Sequence, residues 1–207
     1  MRSQIFPNMA DLLDALVQGI GESRDVLTVV SRVAMTLQKR LEAYACVICT
    51  MNPITRNFIE PFVTSSEQHL QDVFGVLGDE HLARELLKHE ILMIDDLEHT
   101  THVPCAPEIL APFQSIPTAS ALVTLPLRIR GRQIPLGVVY IMFRECLSFN
   151  ESDDECFQIV TDQISFLVER VWRQQRYREL ARIGSKNDSY TCASKPLLSH
   201  RSERAMS

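Results

Sequence analysis

Asp95, Asp96, His99, His102, Cys105 and Glu108 fall within fourteen residues of one another. Carboxylate, imidazole and thiolate are the side chains that hold divalent metals, and steps of three residues could bring several onto one ion. The His-x-x-His-x-x-Cys spacing lacks the paired ligands of standard zinc signatures, so His99, His102 and Cys105 are weak metal candidates. Polar lining for a small organic ligand fits the same residues better, and the plainest alternative is a solvated loop that holds nothing. An enzyme would have to rest on His102 and Cys105 alone.

Two other groupings carry less. Cys46-Val47-Ile48-Cys49 has the spacing of a redox dithiol. On a strand, residues three apart face opposite sides, and a reactive dithiol needs a helix N-terminus to depress a thiol pKa. Both cysteines therefore read as small core residues. Arg128, Arg130 and Arg132 alternate along a strand and its turn; they could grip an anion, but a solvated strand face is the commoner arrangement. Asp153, Asp154 and Glu155 open a helix, where carboxylates offset the dipole. No Ser/His/Asp arrangement, phosphate-binding loop or dinucleotide glycine fingerprint is present.

The elements that would position these residues are strongly patterned. Ala121–Leu127 and Leu136–Phe143 are apolar strands, and Gly131 between them supplies the positive φ of a tight reversal. A long helix follows, Ser152 to about Leu180, with Phe157, Val160, Ile164, Leu167 and Val171 on one stripe. Upstream, Met9, Leu12, Leu13, Leu16, Val17 and Ile20 make one amphipathic helix. Val26, Val29, Val30, Val33, Leu37 and Leu41 make a second, with Ser23 as its N-cap and Asp25 suited to the positive end of its dipole. Ala45–Thr50 and Asn57–Thr64 form a hairpin around Asn52-Pro53, with Pro61 marking an edge. Ser65 to Glu90 reads as two helical pieces divided near Gly75 and Gly78, and Ile91–Ile94 as a short strand ending in Asp95-Asp96. Leu97 to Thr118, with four prolines, reads as a long loop holding one helical turn near Glu108–Phe113, and such loops are usually functional.

The 207 residues suit one domain with extensions, able to bury about 70% of its unfolded surface. With 45% apolar and 23% charged residues, the chain is an ordinary globular one. A net charge of −5 gives no footprint for nucleic acid. The longest apolar run is too short for a bilayer and no secretory h-region is visible, so no membrane association is expected. Six scattered cysteines suit a reducing, cytoplasmic setting. The domain reading is 1–22 as an N-terminal amphipathic helix, 23–180 as the folded domain with a projecting last helix, and 181–207 as a disordered tail.

In this order several segments resemble the GAF domain family. Leu27-Thr28-Val29-Val30-Ser31-Arg32-Val33-Ala34 is similar to its opening helix, and Ile94-Asp95-Asp96 to its short strand with a terminal acid. Ala119 to Gly131, through Leu125-Pro126-Leu127, resembles its "small–small–hydrophobic–PL–x–x–x–G" strand. Leu136-Gly137-Val138-Val139-Tyr140 resembles the next, and Phe149 to Asp154 the cap of the last helix. The resemblance spans roughly Asp25 to Trp172. It implies an α+β fold, an antiparallel sheet flanked by helices in the PAS/GAF/profilin-like architecture, with a ligand pocket opposite the terminal helices.

Departures narrow the expectation. Gln133-Ile134-Pro135 lengthens the hairpin connection, so a bulge is expected there. The residue set of the cyclic-nucleotide branch is not evident. Cys105 is followed by Ala106 where bilin-attaching relatives have His, and the Gly-rich cysteine context of the methionine-sulfoxide reductases is not found. The resemblance therefore implies a regulatory signal-transduction sensor, not an enzyme, that binds an unidentified small molecule near Asp95, Asp96, His99, His102, Cys105 and Thr124. No cofactor can be named. The terminal helices would carry the signal to a homodimer partner or to an effector such as a kinase, cyclase or transcription regulator. The alternative is a ligand-free dimerisation or protein-interaction module of the same fold.

Overall fold

The computed structural model describes residues 5–6, 8–18, 25–65, 79–99, 106–116, 118–129, 131 and 134–191, the backbone alone at 179 and 181–191. In chain order the described elements are α1 (Met9–Gln18), α2 (Val26–Arg40), β1 (Ala45–Thr50), β2 (Phe62–Ser65), α3 (Glu80–Leu86), β3 (Leu92–Ile94), α4 (Pro107–Gln114), β4 (Ala121–Ile129), β5 (Ile134–Phe143) and α5 (Glu151–Thr191). The strands form one sheet in the order β2-β1-β5-β4-β3, every neighbour antiparallel. The fold class is thus α+β as expected.

β1 is buried along its whole length, and β4 and β5 nearly so. A strand buried on both faces loses the apolar–polar alternation of a half-exposed one and reads as a continuous apolar run. One face carries Cys46, Ile48, Val123, Leu125, Val139 and Ile141 against α1, α2 and α5. The expected stripes pack there: Val26, Val29, Val30, Val33, Leu37 and Leu41 from α2, and Phe157, Val160, Ile164, Leu167 and Val171 from α5. From α1, Leu12 and Leu16 are buried, while Val17 is exposed and Ile20 lies outside the described residues.

Local chemistry sets the helix starts. Asp25 Oδ2 accepts from Thr28 N at 2.9 Å and from Thr28 Oγ1 at 3.0 Å, so Asp25 caps α2. The expected cap was Ser23, which lies outside the described residues. α5 begins with a capping box: Asn150 Oδ1 accepts from Ser152 N and Asp153 N, and Asp153 Oδ2 accepts from Asn150 N at 3.1 Å. The helix runs to Thr191, past the expected end near Leu180 and into the segment read as a disordered tail. Two further expectations are corrected in extent. The turn near Glu108–Phe113 is a helix over Pro107–Gln114, with Pro107 at its start, where a missing N–H costs nothing. The returning strand from Asn57 is paired as a strand only over Phe62–Ser65, with an isolated bridge from Met51 to Phe58. The first helical piece, 66–78, lies outside the described residues. No helix among the described residues is long and apolar enough to cross a membrane.

The expected bulge sits in β5. Gly137 pairs with Leu127 while Pro135 pairs with Arg128, which leaves Leu136 as the extra residue. Beside it, Gly137 has φ +147, and a Cβ there would lie 2.2 Å from Cys49 O and 2.8 Å from Thr50 Cα. β1 therefore passes where only a glycine leaves room. Gly131 has φ +72 but nothing within 4 Å. We predict that Gly137→Ala costs about 2–5 kcal/mol, backbone strain and overpacking combined, whereas Gly131→Ala costs about 1–2 kcal/mol. Urea denaturation of the two variants checks the ranking.

Candidate functional site

The face of the sheet turned away from α1, α2 and α5 is a second core. Ala45, Val47, Cys49, Leu122, Val138, Tyr140 and Met142 line it, roofed by Leu82 and Leu86 of α3 and by Leu110, Phe113 and Ile116 of α4 and its exit. β-Pairing sets Thr124 directly opposite Tyr140. Both residues are fully buried, and neither Thr124 Oγ1 nor Tyr140 Oη has a hydrogen-bond partner of normal geometry. The Tyr140 phenol interacts with the Cys49 thiol, a weak partner, and burial raises its pKa well above the ordinary value. Phe113 stands edge-on to the Tyr140 ring, centroids 5.3 Å apart. Thr124 was a sequence candidate. Tyr140 was read only as part of a strand, and the signal for it was its place on the inner face two residues before Met142.

The acidic and histidine candidates lie elsewhere and do different things. Asp95 is structural: its carbonyl accepts from Leu147 N at 3.0 Å, and its Oδ1 accepts from Phe149 N at 3.2 Å. It thereby ties the end of β3 to the segment entering α5. Asp96 turns outward and pairs with His99, Oδ2 to Nδ1 3.0 Å, with the imidazole 76% exposed. Asp96 Oδ1 also accepts from the backbone N–H of Glu98 and His99. The exposed Cys146 thiol, from the β5–α5 connection, joins this cluster; desolvation and then Asp96 raise its pKa. Together with Gln114 and Ser120 these groups line an open cleft of about 520 Å³. Cys146 had been counted only as one of six cysteines, and nothing in the sequence places it beside Asp96.

Glu108 is exposed in the first turn of α4. His102 and Cys105 lie outside the described residues. Among the described residues, no three His, Cys, Asp or Glu side chains converge as a metal site. Arg128 spans elements: its Nη2 donates to Leu87 O at 2.6 Å and His89 O at 2.8 Å, at the end of α3. Arg130 and Arg132 are outside the described residues. Cys46 and Cys49 point into the two separate cores, as strand geometry requires, and burial pushes Cys49 up to about 12 and Cys46 higher still.

No protein-family model matches the chain, and no curated protein does. Solved structures match across most of its length. The phycocyanobilin-bound GAF domain of a cyanobacterial phytochrome is 15% identical with TM-score 0.55, covering 79% of this chain and 95% of that one. The GAF domain of the Acinetobacter phosphoenolpyruvate-protein phosphotransferase is 14% identical with TM-score 0.53, covering 78% and 93%. This chain has the GAF fold. The free methionine-R-sulfoxide reductase of Neisseria meningitidis, solved with its substrate, is similar to the same extent: 13% identity, TM-score 0.52, covering 84% and 96%. The GAF fold thus carries both bound pigment and an enzyme's substrate in other proteins, and fold alone does not choose between them.

The Asp96–His99 pair has a defined pH window. The Asp96 carboxylate raises the His99 pKa above 6.5, first through their hydrogen bond. The same hydrogen bond lowers Asp96 below 3.8. The histidine's contribution is full below 6.5 and is lost as pH rises through its raised value; the aspartate's is full above 3.8 and is lost as pH falls through its lowered value. We predict that the His99 imidazole, followed by NMR, titrates above the ordinary histidine value and returns to it in Asp96→Asn.

Proposed function

We propose that this GAF-fold chain is a cytoplasmic, regulatory signal-transduction sensor that holds a small molecule between the inner face of its sheet and the segment 95–118. One observation carries the reading. Two hydroxyls, Thr124 Oγ1 and Tyr140 Oη, are buried side by side in an otherwise apolar enclosure without proper partners. Buried polar groups are nearly always satisfied, and pockets pair an apolar wall with a few convergent polar groups. A compact, mostly apolar molecule with one or two hydrogen-bonding atoms would satisfy both hydroxyls if Phe113 swung off Tyr140.

Occupancy would act through Asp95. Its two hydrogen bonds join the ligand-bordering segment to the entry of α5, so a shift of α4 and the preceding loop reaches the start of the long helix. A ligand with different affinity for the two positions of α4 would move that equilibrium. The groups on the inner face suit binding better than catalysis, because a phenol and a thiol whose pKa values burial raises are poor nucleophiles. Free thiols at Cys46, Cys49, Cys146 and Cys156 agree with a reducing compartment. A pigment-bound and a substrate-bound neighbour of the same fold support a binding role in general, without naming a ligand. The domain would comprise 23–180, with 1–22 and the far end of α5 as its connections to a partner subunit or effector domain.

A second reading, a dimerisation or interaction module, is favoured by exposed apolar side chains on α5: Ile159, Phe166, Tyr177 and Leu180.

The sensor reading is tested by a thermal-shift and calorimetric screen against metabolites with the wild-type chain and Thr124→Val. Removing an unsatisfied hydroxyl of the same shape should stabilise the ligand-free protein by about 1–3 kcal/mol. It should also abolish most of the shift that a true ligand produces. A wild-type protein that responds to no compound, or a Thr124→Val protein less stable than wild type, counts against it.

A further inference from the structure

We propose that the outward face of α5 is the contact surface for a second copy of this chain, and that the two helices lie antiparallel. The proposal rests on the interaction-module reading and goes past it by naming the partner and its direction. The buried face of α5 is set by Phe157, Val160, Ile164, Val168 and Val171. At 3.6 residues per turn, Ile159, Phe166 and Tyr177 fall within about 20° of one line on the opposite side, with Leu180 about 60° away. They are 49%, 58%, 72% and 55% exposed. Large apolar side chains so aligned on a helix that already has a full core face are the pattern of a second seam.

The charges between them give the direction. Glu155 and Asp162 lie on this face in its first half, and Arg170 and Arg173 in its second half. On the flank, Glu151 and Asp154 lie early and Arg176 late, with Glu169 the one acid in the second half. A parallel pair of such helices sets acid against acid and base against base. An antiparallel pair with its two-fold axis at Phe166 stacks Phe166 on its own copy, and brings Asp162 opposite Arg170 and Glu155 opposite Tyr177, next to Arg173. Arg173 already bonds Glu169 on its own helix at 2.6 Å, the arginine side chain exposed and the glutamate's largely covered. Self-complementarity of this kind is what a two-fold interface requires.

The experiment uses the full chain with Cys105, Cys146, Cys156 and Cys192 replaced by Ser, so that added thiols report alone. Light scattering gives the oligomeric state, and circular dichroism checks the fold of every variant. Glu155→Cys and Tyr177→Cys are oxidised separately and as a mixture. The antiparallel arrangement predicts a disulfide-linked dimer from the mixture and none from either variant alone, because like positions of Tyr177 would sit about 30 Å apart along the axis. It also predicts that added salt weakens association, and that Phe166→Glu weakens it at least about tenfold while the fold persists. Self-linking of each variant alone, or association strengthened by salt, overturns the antiparallel direction and leaves the interaction reading standing. A dimer unaffected by Phe166→Glu, or one giving no cross-link, overturns this surface. A chain that stays monomeric at high concentration overturns both, and the ligand screen above is independent of all these outcomes.

Discussion

The structure depends on three strands, β1, β5 and β4, being buried on both faces at once. A sheet in that position has no solvent side on which to put polar groups, so every residue of these strands must pack or find a hydrogen bond inside. β1 and β5 meet this closely: their backbones approach until Gly137 faces Cys49 O with no room for a Cβ. Three side chains within these strands do not: the hydroxyls of Thr50, Thr124 and Tyr140 are left inside without proper partners. The enclosure that makes these strands a core is the same enclosure that makes such hydroxyls costly.

The two faces of the sheet are built differently, and the difference assigns their roles. The helix-side face is closed by long regular elements whose apolar stripes match it residue for residue. Among the described residues, the inner face is closed by short pieces, α3 and α4, with Leu97 and Ile116 beside them. Short helices have little stability of their own and depend on what they pack against, so the inner roof is the part of the molecule that can move without unfolding the rest. Asp95, at the end of β3, holds the segment that enters the long helix by two hydrogen bonds.

Much of this architecture was legible in the sequence because its long elements are strongly periodic. The stripes of α2 and α5, the two apolar strands, and the glycine at the hairpin each needed only local chemistry to read. The extra residues before Leu136 gave the bulge before it was seen. What the sequence could not give was convergence. Asp95 and Asp96 are neighbours with the same side chain, yet Asp95 ties Leu147 and Phe149 while Asp96 holds His99. Which way each turns is decided by where the chain re-enters after β5, more than fifty residues on. Cys146 joins Asp96 for the same reason, and Tyr140 meets Thr124 only through strand register. The candidate set therefore divides: Thr124 inside on β4, Asp95 in a structural tie, Asp96 and His99 together in the cleft beside Cys146. Helix ends were also poorly legible. The segment from 181 on is polar and serine-rich, which reads as a disordered tail, yet α5 continues to Thr191.

α5 is where these threads meet. Its capping box sits directly after Phe149, the residue Asp95 holds, so the position of its first turn is set by the same tie that borders the inner face. Its buried stripe then runs along β4, where Ser165 Oγ accepts from Arg128 N at 3.2 Å. Arg128 in turn reaches the end of α3 on the other side of the sheet. The helix is thus fastened at two points along its length to elements that frame the inner core, once through Asp95 and once through Arg128. A rigid rod held at two such points cannot respond to one of them without turning about the other, and a rotation of α5 changes the angle of the very face that carries Ile159, Phe166 and Tyr177. α5 packs on the helix-side core and meets the frame of the inner face through Asp95 and Arg128, while its outward side carries the exposed apolar line.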